Sequence, residues 1–155
     1  MLCLDWARCA PGEVLGTKSD MTKRQPAPLL ASSGRDGFVH IFGKGGSSEA
    51  GGGFLQPLVT LDDHGGTPVA AIRFADAGCS LVSCGGDRSV ALRRIRCHDS
   101  GDMAGTLVRR LALSATDCSA DVRQLRAALA AREGGMAVIN TTSGAEMSRR
   151  ESLSL

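Results

Sequence analysis

His64, Ser83 and Asp87 are the three residue types of a hydrolase triad, set close together in the chain. A serine nucleophile has to be exposed, commonly on a sharp turn of the GxSxG kind, and needs an oxyanion hole beside it. Ser83 stands instead within "LVSCGG", an apolar run that reads as a buried strand. A carboxylate in a turn can accept a hydrogen bond from an imidazole on the neighbouring loop, whose other nitrogen reaches a serine hydroxyl. The three residues are therefore expected to form a hydrogen-bonded staple. Ser32 and Asp36, which occupy the positions of Ser83 and Asp87 in a copy of the segment described below, belong to the same structural set. No residue is assigned a catalytic role.

Other constellations are weaker. Asp62, Asp63 and His64 are metal-ligand types, but adjacent residues project differently and no second ligand cluster follows. "GKGGSS" resembles a phosphate loop only superficially: five residues, not four, separate Gly37 from Gly43, and Gly45 follows Lys44 where Ser or Thr is required. Arg93, Arg94 and Arg96 could meet a phosphate; a solvated strand edge is the plainer reading, since charge there discourages edge pairing. The cysteines Cys3, Cys9, Cys79, Cys84, Cys97 and Cys118 contain no CxxC pair and read as reduced thiols. No metal and no cofactor is expected.

Eighteen basic against sixteen acidic residues give a net charge of +2, too small for the electrostatic footprint of a nucleic-acid binder. No apolar run approaches the about eighteen residues of a membrane helix. The opening "MLCLDWARC" places Asp5 and Arg8 inside what would have to be a signal core, so the expected location is cytoplasmic. With 3% aromatic residues and 20 glycines in 155 residues, the core has to be aliphatic and the turns numerous.

The elements that would position these residues come from an internal repeat. "LASSGRDGFVHIFG" (30–43) aligns without a gap on "LVSCGGDRSVALRR" (81–94), matching Leu30 with Leu81, Ser32 with Ser83, Gly34 with Gly85, Asp36 with Asp87 and Val39 with Val90. Each copy runs from an apolar stretch through a Ser/Gly turn with Asp into a period-two segment, which is a strand, a turn and a strand. "MLCLDW" and "TPVAAIRF" supply a strand ahead of each copy, with Pro68 at a position a strand tolerates, and "FLQPLVTL" (54–61) a further one. The two copies are 51 residues apart, more than a propeller repeat of about 40 to 45. Two insertions, 9–28 and the Gly/Ser-rich 43–53, are expected to be flexible and account for the excess. A third, degenerate copy at 125–140 sets Glu133 46 residues after Asp87. Its first half, 121–133, is rich in Ala, Leu, Arg and Gln, so helix and strand both remain open there.

These residues resemble WD-repeat proteins, which build β-propellers from four-stranded blades. His64 ahead of the first strand, Ser83 in the second and Asp87 in the turn match the family pattern. The Trp usual six residues after the Asp is absent: Phe42 and Arg93 stand there. More narrowly, "LLASSGRDGFVHIF", "TLDDH", "AIRFA", "LVSCGGDRSV" and "INTTSG", in this order, look like consecutive blades of the mitogen-activated protein kinase-binding protein 1 group of scaffolds.

The expected fold is all-β: an incomplete β-propeller of two to three four-stranded antiparallel blades. Blades are placed at 1–67, 68–105 and 106–144, with a disordered tail at 145–155. The resemblance implies non-catalytic protein binding, with a mitogen-activated protein kinase pathway component as partner and a place at spindle poles. The rival readings are a generic WD-repeat adaptor and an enzyme built on the Ser/His/Asp set or the Gly-rich loop. Two and a half blades cannot close a ring, so further repeats or self-association are needed, and Val69, Ile72 and Phe74 are expected to be partly uncovered.

Overall fold

The computed structural model describes residues 3–9, 27–44, 55–75, 79–97, 103–112, 115–121, 126–131, 136–140, 143 and 145–150. They form three four-stranded antiparallel sheets. The first contains β1 (Cys3–Cys9), β2 (Ala27–Ser33), β3 (Val39–Lys44) and β4 (Leu55–Leu61), in that spatial order. The second contains β5 (Val69–Ala75), β6 (Ser80–Gly85), β7 (Ser89–Cys97) and β8 (Met103–Ala112). The third contains β9 (Ala115–Asp121), β10 (Arg126–Ala131), β11 (Met136–Asn140) and β12 (Glu146–Arg150). All neighbours pair antiparallel in chain order, so each sheet is a meander.

Period-two patterning explains how the sheets stack, because alternate residues point to opposite faces. Leu29, Ala31, Val39 and Ile41 of the first sheet share a core with Val69, Ile72, Phe74, Leu81 and Ile95 of the second. Val82, Cys84, Val90 and Leu92, on the other face of the second sheet, meet Ala115, Cys118, Leu129, Ala137 and Ile139 of the third. Strand β5 adjoins both β1 and β9, and β4 adjoins β8. The inner strands therefore lie against inner strands and the outer against outer, as in consecutive propeller blades.

The duplicated hairpins hold as aligned, with Asp36 between β2 and β3 and Asp87 between β6 and β7. The third copy is also a hairpin. Moving β6, residues 80–85, by the 46-residue offset gives 126–131, which is β10. Helix propensity favours Ala and Leu by only tenths of a kcal/mol per residue, whereas burying a leucine side chain is worth about 1.5–3 kcal/mol. Leu129 is fully buried, and β10 is paired on both sides, so the strand wins.

Several expectations need correction. The tail does not begin at 145, because Glu146–Arg150 pairs with β11 as an outer strand. The second unit does not end at 105, since β8 follows β7 along its length to Ala112. Val69, Ile72 and Phe74 are not uncovered; the first sheet buries them. Of the two insertions, Cys9, Ala27 and Pro28 lie in β1 and β2 and Gly43 and Lys44 in β3, while 10–26 and 45–53 lie outside the described residues, as does Glu133. No helix among the described residues is long and apolar enough to cross a membrane.

Candidate functional site

The second sheet brings His64, Ser83 and Asp87 together. His64 sits in the loop between β4 and β5, whose turn is closed by the Thr67 amide and hydroxyl, both donating to the His64 carbonyl at 3.0 and 2.6 Å. Its imidazole Nδ1 lies 3.0 Å from Asp87 Oδ1, and Nε2 lies 2.9 Å from Ser83 Oγ. The two ring nitrogens thus each hold one partner, the carboxylate at Nδ1 and the Ser83 hydroxyl at Nε2. Gly85 makes room for this. A Cβ there would stand 2.2 Å from His64 Nδ1 and 2.5 Å from Asp87 Oδ1.

Asp87 is also tied locally. The Ser89 amide donates to Oδ1 at 3.1 Å and the Ser89 hydroxyl to Oδ2 at 2.6 Å. Partial burial alone would raise the Asp87 pKa, but the hydrogen bonds from Ser89 and His64 outweigh it and leave the carboxyl below its ordinary value. The geometry is unsuited to covalent catalysis. Ser83 is 2% exposed within β6, a strand buried along its whole length, and His64 is 1% exposed.

The first sheet holds the corresponding parts apart. Asp36 Oδ1 accepts the Phe38 amide at 3.3 Å, matching the Asp87–Ser89 turn, but its side chain is 58% exposed. The imidazole beside it is His40, 3.8 Å away within the same hairpin and engaged with Thr60 Oγ1 at 3.0 Å. No hydrogen bond joins Ser32 to Asp36 among the described residues. In the third sheet Leu129 takes the place of Ser83 and Ile139 that of Arg93, and both are fully buried. The five residues expected to form one kind of structural set thus assemble as a triad once.

Asp62, Asp63 and His64 diverge, as adjacent residues should. Asp62 faces solvent, while Asp63 is buried and takes a two-pronged ion pair from Arg93, with Nε to Oδ2 and Nη2 to Oδ1 both at 2.6 Å. Arg93 Nη1 donates to the Gly105 carbonyl, and Arg110 Nη2 donates to the Asp63 carbonyl. The reading of Arg93 as part of a solvated strand edge is therefore wrong: β7 lies between β6 and β8, and the guanidinium is folded onto the preceding loop. A guanidinium fork matches a carboxylate in shape and charge, so this bridge fills the position where the resemblance led one to look for Trp. Asp63 beside His64 was the signal, but its partner 30 residues away was not deducible from spacing.

Two further links tie β1 to β5. Asp5 Oδ2 accepts the Phe74 amide at 2.6 Å, and Cys3 Sγ donates to the Ala70 carbonyl at 2.9 Å. Cys3, Cys79, Cys84 and Cys118 are in the reduced, thiol form. Contact with the Cys118 thiol, together with burial, pushes the Cys84 thiol far up, so it stays protonated. Among the described residues no group of three or more His, Cys, Asp or Glu side chains could hold a metal ion.

No protein-family profile matches the chain, and no curated protein sequence matches it. Among solved structures, it is similar to Saccharomyces cerevisiae Sqt1, a WD40-repeat protein, with a TM-score of 0.60, 16% sequence identity, and coverage of 81% of this chain and 32% of that one. The chain thus spans less than half the length of that protein. These comparisons do not confirm the resemblance to the mitogen-activated protein kinase-binding protein 1 group. With three four-stranded antiparallel sheets stacked inner strand to inner strand, the chain has a propeller-like fold whose described residues make three blades and no closed barrel.

Proposed function

We propose that the chain is a non-catalytic protein-binding segment of the WD-repeat type. The observation that carries this reading is the burial of Ser83 and His64, whose side chains are hydrogen-bonded to each other and to Asp87 at the surface turn. The same three residue types in a cleft would call for an esterase; in this position they fix a loop to a hairpin. Function then lies with the surfaces that the blades and their loops present, as is usual where a rigid scaffold holds variable connections.

The finer reading is a scaffold for a mitogen-activated protein kinase pathway, cytoplasmic and associated with spindle poles. It rests on the ordered segments "TLDDH", "AIRFA" and "LVSCGGDRSV" and on their resemblance to that scaffold group. The test is affinity capture with the tagged chain, followed by direct titration with a purified mitogen-activated protein kinase. Saturable binding supports the finer reading. Saturable binding of an unrelated protein with no response to the kinase leaves the general reading and removes the finer one. Turnover of p-nitrophenyl acetate that disappears in Ser83→Ala would overturn both.

A further inference from the structure

The internal repeat identifies what each outer face of the three-blade stack is built to meet. On the first sheet, register pairs Trp6 with Leu30 and Leu4 with Ser32; on the second it pairs Phe74 with Leu81 and Ile72 with Ser83. Because Leu30 aligns with Leu81 and Ser32 with Ser83, Trp6 is the counterpart of Phe74 and Leu4 that of Ile72. Phe74 and Ile72 are 6% and 0% exposed beneath the first sheet, whereas Trp6 and Leu4 are 65% and 54% exposed. The leading face of the stack is therefore a blade-binding face that no sheet among the described residues covers.

The trailing face is its complement. Val39 and Ile41 of the first sheet, and Val90 and Leu92 of the second, are the residues that press onto the next blade. Their counterparts in the third sheet, by the same 51- and 46-residue offsets, are Met136 and Val138. Leu129, Ala137 and Ile139 point back into the core shared with the second sheet, so Met136 and Val138 point away from it, and Met136 is 47% exposed. Both open faces continue interfaces already formed twice within the chain, residue by residue.

We propose that two copies of this chain associate head to tail, the trailing face of each third sheet packing on the leading face of the other's first sheet, to close a six-bladed ring. A head-to-tail contact forms a closed assembly when its rotation returns to the start and an open filament when it does not. Propellers close with about four to eight blades, and twice three falls inside that range. Two identical contacts related by a two-fold axis along the ring then cover both open faces of both copies. The occupant is a second copy because each chain carries both halves of the contact. The association is independent of which other protein the assembly binds, so failure of one leaves the other standing.

Sedimentation velocity of the full chain across a concentration series tests it. The expected species has twice the 16.0 kDa chain mass. Trp6→Glu and Met136→Glu each place a charge in both contacts of the ring and should weaken association about tenfold or more. Arg35→Glu, a charge inversion in the exposed turn between β2 and β3, should leave it unchanged. Far-ultraviolet circular dichroism and a urea unfolding curve of each variant distinguish lost association from lost folding, and if Trp6→Glu fails to fold, Met136→Glu carries the test alone. A monodisperse, folded monomer at the highest concentration would overturn the proposal. So would a dimer indifferent to both substitutions, or an open series of larger polymers.

Discussion

Asp87 and Asp36 occupy the same place in two copies of one hairpin, and their surroundings differ in almost every respect. Asp87 lies against a buried imidazole and a serine hydroxyl, while Asp36 keeps the turn bond to Phe38 and a longer, 3.8 Å approach to the partly exposed His40. The difference comes from what reaches the turn, not from the turn itself. In the second sheet the preceding loop delivers His64, and Gly85 lets it approach. The hairpin is thus a local structure that forms either way, and the staple is a tertiary device added to it. The third sheet shows another outcome, in which Leu129 and Ile139 replace polar partners by aliphatic burial.

The largest way to break the contrast is at the bridge beneath the staple. Arg93→Ala leaves the buried carboxylate of Asp63 without its fork and should destabilise the protein by about 3 kcal/mol in urea unfolding. The double variant Asp63→Ala/Arg93→Ala should be more stable than Arg93→Ala alone, because no uncompensated charge remains. A double variant less stable than the single would show that the two side chains contribute separately. Next in size, Gly85→Ala should cost about 2 kcal/mol, since its Cβ and the His64 ring cannot share the space. Retention of the full unfolding midpoint would mean that the ring does not sit against Gly85.

A smaller effect is expected from pH. The Asp87 carboxyl is more acidic in the folded protein than in the unfolded chain, so its ionised form stabilises the fold. That contribution is complete above the unfolded value of about 3.9 and is lost as pH falls through the lower folded value. The stability gap between the protein and Asp87→Asn should therefore narrow on acidification, as read from urea midpoints between neutral and acid pH. A gap that widens would reverse the assigned direction. The smallest effect belongs to the first sheet: Asp36→Ala should change stability by no more than about 0.5 kcal/mol. A loss as large as that of Asp87→Ala would erase the comparison.

What the sequence disclosed follows the same division between local and tertiary. The two hairpins were legible because strand, Asp turn and alternating strand are contiguous in the chain and occur twice in register. His64, Ser83 and Asp87 were legible because a turn carboxylate and a loop imidazole fit a known pattern. The Asp63–Arg93 bridge was not, since nothing in a run of three arginines shows that one folds back onto a loop 30 residues earlier. β10 was ambiguous because an Ala/Leu-rich segment is compatible with two periodicities, and its neighbours decide between them. β12 was missed because "EMSRR" is an exposed outer strand with one paired side and almost no apolar alternation to detect. Ser32 and Asp36 do not behave like Ser83 and Asp87, because the imidazole near Asp36 is His40 of the same hairpin, engaged with Thr60, and not one delivered by the preceding loop.

A double-mutant cycle on His64 and Asp87, with His40 and Asp36 as the matched pair in the first sheet, tests the central claim most directly. His64→Ala and Asp87→Ala should each destabilise by about 1–3 kcal/mol, and together by less than their sum, giving a coupling of about 1 kcal/mol. The His40–Asp36 cycle should give a coupling near zero. Additive losses at His64 and Asp87, or equal coupling in the two sheets, would contradict a staple built in the second blade alone.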